Sequence, residues 1–90
     1  MKEIHFGNRA IKAREEDFGY TLFDGNVSVQ INESFFDIIS QISLGRSDEE
    51  IVKFIEENYD LSEIEKEKII NDIAYVHDYI KKLGWNNGNA

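Results

Sequence analysis

The chain has 90 residues, 41% of them hydrophobic and 31% charged, which suits one globular domain and excludes a second domain or a disordered chain. Cysteine is absent, so the chain builds no disulfide, thiolate metal site or iron–sulfur cluster of its own, in keeping with a reducing cytoplasm. A net charge of −8 argues against nucleic acid and anionic membranes, because a phosphate binder needs a basic face.

Along the chain, residues 1–8 carry little pattern and read as a flexible arm. Met1 to Arg9 holds no apolar signal core, and no apolar run approaches the roughly 20 residues of a membrane span. The expectation is an untargeted, cytoplasmic protein. From Arg9 to Glu16, Ile11 and Ala13 alternate with Lys12 and Arg14, which predicts a short strand. Gly19–Asp24 and Val27–Asn32 predict two more, joined through Asp24, Gly25 and Asn26. Both Asp-Gly and Gly-Asn are two-residue hairpin signals. The first loop sets Leu22 opposite Val27, and the second sets Leu22 opposite Val29 and Tyr20 opposite Ile31. In either register Tyr20, Leu22, Val27, Val29 and Ile31 share one face, as expected of a sheet buried on one side.

Three helices follow. Asn32 or Ser34 caps the first, whose apolar stripe is Phe35, Phe36, Ile39 and Ile42 and which Gly45 ends. Ser47 with Glu50, and Ser62 with Glu65, form capping boxes for the second and third. The second buries Ile51, Val52, Ile55 and Tyr59. The third spans about Glu63 to Leu83, with a stripe of Ile69, Ile73, Val76, Ile80 and Leu83 widened by Ile70, Ala74 and His77, and Gly84 closes it. The polar residues 86–90 read as a flexible tail, leaving 9–85 as the folded domain.

No constellation supports catalysis. His5 has no partner in the sequence, and His77, at the edge of the third helix's stripe, lacks convergent ligands and reads as a core-edge residue. No nucleophile motif, phosphate loop, metal site or cofactor site stands out. The carboxylates Glu49, Glu50, Glu56, Glu57 and Asp60 read first as a solvated face and second as an acidic docking face. If the third helix read DNA, it would open on basic residues; it opens on Glu63, Glu65 and Glu67, offset only by Lys66 and Lys68. What remains is the strand Val27–Ile31, which can stand at a sheet edge, where its backbone groups either invite another strand or are covered by the N-terminal arm.

Four stretches carry a resemblance. They are Arg14-Glu15-Glu16-Asp17-Phe18-Gly19-Tyr20-Thr21-Leu22-Phe23-Asp24, the hairpin with the start of the first helix, Gly45-Arg46-Ser47-Asp48-Glu49-Glu50-Ile51-Val52, and Asp72-Ile73, Val76, Ile80 with Gly84-Trp85. In order and spacing, over roughly Ala10 to Trp85, they resemble the PqqD-like proteins. These are stand-alone recognition elements for ribosomally made, post-translationally modified peptides. His77 departs from the pattern, which has an aliphatic residue there.

The resemblance implies an α+β winged helix-turn-helix, with a three-stranded antiparallel sheet followed by three helices. It implies no enzyme but a peptide chaperone that takes up the leader of a precursor peptide as an added strand and presents it to a radical-SAM maturase. Mapped onto this chain, the backbone of Val27, Ser28, Val29, Gln30 and Ile31 would pair with the leader, and Ile69, Ile70, Ile73, Ala74 and His77 are the candidates to line the groove, some of them core instead, Ile69 and Ile73 first. The rival readings are a protein-association or homodimerisation module acting through the edge strand and, behind it, a winged-helix transcriptional regulator.

Overall fold

A computed structural model describes residues 2–85. Four strands come first: β1 (Lys2–Phe6), β2 (Arg9–Glu16), β3 (Gly19–Phe23) and β4 (Ser28–Ile31). They form one antiparallel meander in the order β1-β2-β3-β4. Three helices follow, α1 (Glu33–Ser43), α2 (Asp48–Asn58) and α3 (Glu63–Leu83). The class is α+β as expected, but the sheet has four strands rather than three.

The extra strand is the segment read from sequence as an arm. Ile4 and Phe6 alternate with Glu3 and His5, Ile4 pairs with Ile11, and Phe6 pairs with Arg9 across the two-residue loop Gly7-Asn8. Gly7 has a φ of 62°, which a glycine-first hairpin turn requires and other residues resist. A five-residue span displays little of its period, and the Gly7-Asn8 turn is the signal that marks the strand. The predicted tail lies outside the described residues.

The β3–β4 register is that of the Gly25-Asn26 loop: Leu22 faces Val29 and Tyr20 faces Ile31. Asp24 N–H donates to the Val27 carbonyl at 3.3 Å, closing the loop. Ile4, Ile11, Ala13, Tyr20, Leu22 and Ile31 are buried on the inner face, while Val27, expected beside them, is exposed and lies before β4 begins. The outer face carries Lys12, Arg14, Phe23, Ser28 and Gln30 and is solvent-exposed.

The helices cover the inner face. Phe36, Ile38 and Ile39 of α1, Ile51 and Ile55 of α2, and Ile73, Val76 and Ile80 of α3 complete the core with Trp85. Their ends are capped as the sequence dictates. The Asn32 side chain accepts from Phe35 N–H, and both Ser-x-x-Glu boxes close reciprocally. Tyr59, expected in the buried face of α2, instead sits one residue past its end, half exposed, and its hydroxyl donates to Asp37 Oδ2 at 3.1 Å.

Candidate functional site

β4 is the terminal strand of the sheet, and among the described residues no strand pairs with its outer edge. Antiparallel pairs alternate between hydrogen-bonded and non-hydrogen-bonded positions. With Asp24 bonded to Val27, the pairs Leu22–Val29 and Tyr20–Ile31 are the bonded ones. The N–H and C=O groups of Val29 and Ile31 therefore point inward to β3, and those of Ser28 and Gln30 point outward. Of the five strand residues expected to meet a peptide, only these two present backbone groups from β4 to the open edge.

An aromatic cluster flanks the far end of β4. The chain passes from Ile31 through the Asn32 cap into α1, and the Phe35 ring there meets Tyr79 edge-on at 5.3 Å and Tyr75 at 6.2 Å between centroids. Tyr75 and Tyr79 are one turn apart on α3, a spacing that stacks side chains on one flank. Tyr75 is 60% exposed. Between this flank and the start of α1 lies a hollow of about 300 Å³ lined by Asn32, Phe35, Ile38, Asp72, Tyr75 and Val76. A side chain of exposed aromatic character beside a free strand edge offers both backbone pairing and a pocket.

The helix residues expected to line a peptide groove stand on the core and α2 sides of α3. Ile73 is buried in the core, and Ile69 is partly buried at the end of α3 that meets Ile38 and Ile55. Ile70 and Ile73 face α2 across a second hollow, and His77 Nε2 lies 2.9 Å from Asp48 Oδ1 at the start of α2. Ala74 is exposed on this same flank, about 100° round from Ile73. The stripe of α3 is thus flanked on two sides, with Ile70, Ala74 and His77 toward α2 and Tyr75 and Tyr79 toward α1 and the end of β4. The sequence signal for the second flank was the Tyr75–Tyr79 spacing, which the broader isoleucine stripe obscured.

The other end of β4 is held by Asp24, whose side chain is only 4% exposed. Its Oδ1 accepts from the N–H groups of Asn26 and Val27, both at 2.8 Å, and its Oδ2 accepts from Trp85 Nε1 at 2.7 Å. The backbone donors of Val27 and Asn26, then the indole, hold the Asp24 carboxyl below the usual carboxylate range. Arg9 Nη1 adds an ion pair at 3.7 Å. This anchor ties the turn that precedes β4 to the end of α3.

On the inner face, Lys2 Nζ donates to the Tyr20 hydroxyl at 3.1 Å and sits 5.6 Å from the Phe36 ring centre. The hydrogen bond to Tyr20 raises the Lys2 pKa. Tyr20 and Phe36 stack with centroids 3.7 Å apart. This cluster ties β1 to β3 and α1. Among the described residues, no group of three or more His, Asp or Glu side chains could hold a metal ion, and no helix is long and apolar enough to cross a membrane.

No family model and no curated protein matches the chain. Among solved structures, the fold matches a chain described as lasso peptide synthetase B1 complexed with the leader peptide. The TM-score is 0.64 at 24% identity, over 82% of this chain and 86% of the other. The likeness defines a shared α+β fold across most of both chains.

Proposed function

We propose that the protein binds the leader region of a ribosomally made precursor peptide by strand addition to β4 and presents it to a separate modifying enzyme. The observation that carries this reading is the free edge of β4, with the backbone groups of Ser28 and Gln30 turned outward beside the Phe35–Tyr75–Tyr79 cluster. The fold likeness to a protein solved with a leader peptide supports it. So does the sequence resemblance to PqqD-like recognition elements, from which we also take the winged helix-turn-helix description, with the β3–β4 hairpin as the wing.

The energetics suit this role. Two outward-facing residues supply up to four backbone hydrogen bonds, each worth about 1 kcal/mol net. An apolar leader residue buried against Phe35 and Tyr75 adds about 1.5–3 kcal/mol. Ordering the leader takes back much of this gain, which puts the affinity near the micromolar range.

In this reading the chain does no chemistry itself, needs no cofactor and works in the cytoplasm. The enzyme it serves is a radical-SAM maturase, on the strength of the sequence resemblance. The description of the fold neighbour favours a second reading of the product, in which the peptide is a lasso precursor. Calorimetric titration with precursor peptides of each class, full-length and leader-only, tests both. Saturable one-to-one binding retained by the leader alone supports the proposal, and the class that binds selects the product. A concentration-dependent mass with no response to any leader would instead favour the homodimerisation module.

A further inference from the structure

The flank of α3 that faces away from the aromatic cluster forms a groove with α2, of about 560 Å³. Its floor is apolar: Val52 and Ile73 are buried or partly so, but Ile70 is 56% exposed, a large aliphatic side chain open to water beside the core. Its rim is acidic, with Asp48, Glu49, Glu50 and Glu56 beside Lys53; from outside the lining Arg46 reaches Glu50 at 3.7 Å, Lys66 reaches Glu56 at 3.9 Å and His77 lies 2.9 Å from Asp48. Glu50 is committed to the α2 capping box, and the Ser47 N–H and hydroxyl hold its carboxyl below the usual range. Glu49 has no ion-pair partner among the described residues. An apolar trough between two helices, whose α2 rim sets four carboxylates against one lysine and leaves Glu49 without a partner, is complementary to a helix with one aliphatic face and basic flanks.

We infer that the α2–α3 groove docks a basic amphipathic helix, with Ile70 as the apolar anchor point and Glu49 as the steering charge. The owner of that helix is the modifying enzyme, an assignment that rests on the proposed function; the chemistry of the groove does not. Because the groove and the β4 edge lie on opposite flanks of α3, leader and enzyme bind together without competing. One helix then sits between the captured peptide and the enzyme that acts on it.

The test uses the full chain, isotopically labelled, and two synthetic 16-residue peptides with leucine at helical spacing, one filled with lysine and the other with glutamate. The lysine peptide is expected to shift the amide signals of Val52, Ile70 and Ile73, and to lose at least tenfold in affinity to Ile70→Glu and severalfold to Glu49→Lys. The glutamate peptide is expected not to bind. Ile70 is exposed, so Ile70→Glu folds, and unchanged leader affinity in that variant confirms it. Shifts confined to other surfaces, or equal affinity for wild type and Ile70→Glu, would overturn the groove. Failure of the leader to bind, with the lysine peptide still bound at Ile70, would instead remove the proposed function and leave the groove standing.

Discussion

Trp85 Nε1 donates to Asp24 Oδ2 at 2.7 Å, joining the end of α3 to the β3–β4 turn across 61 positions of sequence. Trp85 is fully buried and Phe6 of β1 packs 6.2 Å from its ring centre, so one indole holds both sheet edges to the last helix. The contact sets the distance between β4 and α3, on which any groove between them depends.

Removing the hydrogen bond while keeping the ring, by Trp85→Phe, leaves a nearly buried carboxylate short of one donor. The expected loss is about 1–3 kcal/mol in urea unfolding. Trp85→Ala adds a cavity and is expected to cost about 3–5 kcal/mol. No loss for Trp85→Phe beside the full loss for Trp85→Ala would mean that packing alone carries the contact.

The same carboxyl makes stability pH-dependent in a defined direction. Its folded pKa is depressed, so its contribution is complete above the ordinary carboxylate value and fades as pH falls through the folded one. The stability gap between wild type and Asp24→Asn is therefore expected to be widest near neutrality and to close in acid. A gap that is constant with pH would show that the carboxylate charge is not what the turn uses.

Gly19 ties the start of β3 to the end of β4 by close approach. Its φ is 146°, and a Cβ there would lie 2.3 Å from the Ile31 carbonyl oxygen and 2.6 Å from Asn32 Cα. Gly19→Ala must displace backbone at the point where β4 hands over to α1. We expect a loss of at least about 1–3 kcal/mol, with leader affinity falling as the edge shifts. A thermal scan with a parallel leader titration measures both.

The two flanks of α3 are separable by mutation. Tyr75→Ala and Tyr79→Ala are expected to weaken leader binding roughly tenfold, the equivalent of about 1.4 kcal/mol. Ala74→Ser and His77→Ala, on the α2 side, are expected to leave it unchanged. The reverse pattern would move the peptide to the flank read from sequence.

Part of this arrangement is legible in the sequence and part is not. The caps at Asn32, Ser47 and Ser62 and the helix stop at Gly84 were legible because each is a local rule satisfied within four residues. The β3–β4 register was narrowed to two choices by the hairpin residues, and the Asp24–Val27 hydrogen bond selects between them. β1 is not legible from its period, because five residues show little of one, and its signal lies in the Gly7-Asn8 turn that joins it to β2. The groove was harder for a different reason. An amphipathic stripe tells which side of α3 is buried, but which flank meets α2 and which meets the sheet edge depends on tertiary packing. Phe35 settles that by meeting Tyr75 and Tyr79, a contact between residues about 40 positions apart that no local period encodes.

Strand addition to β4 makes its most direct mark on the backbone amides. Val29 and Ile31 already bond to β3, so their hydrogen exchange is expected to be slow with or without peptide. Ser28 and Gln30 face the open edge and are expected to exchange fast in the free protein and to become protected when the leader binds. Residue-resolved exchange by NMR, with and without saturating leader, reads all four at once. Protection gained at Ser28 and Gln30 alone is the predicted result; saturable leader binding that leaves both amides fast would contradict it.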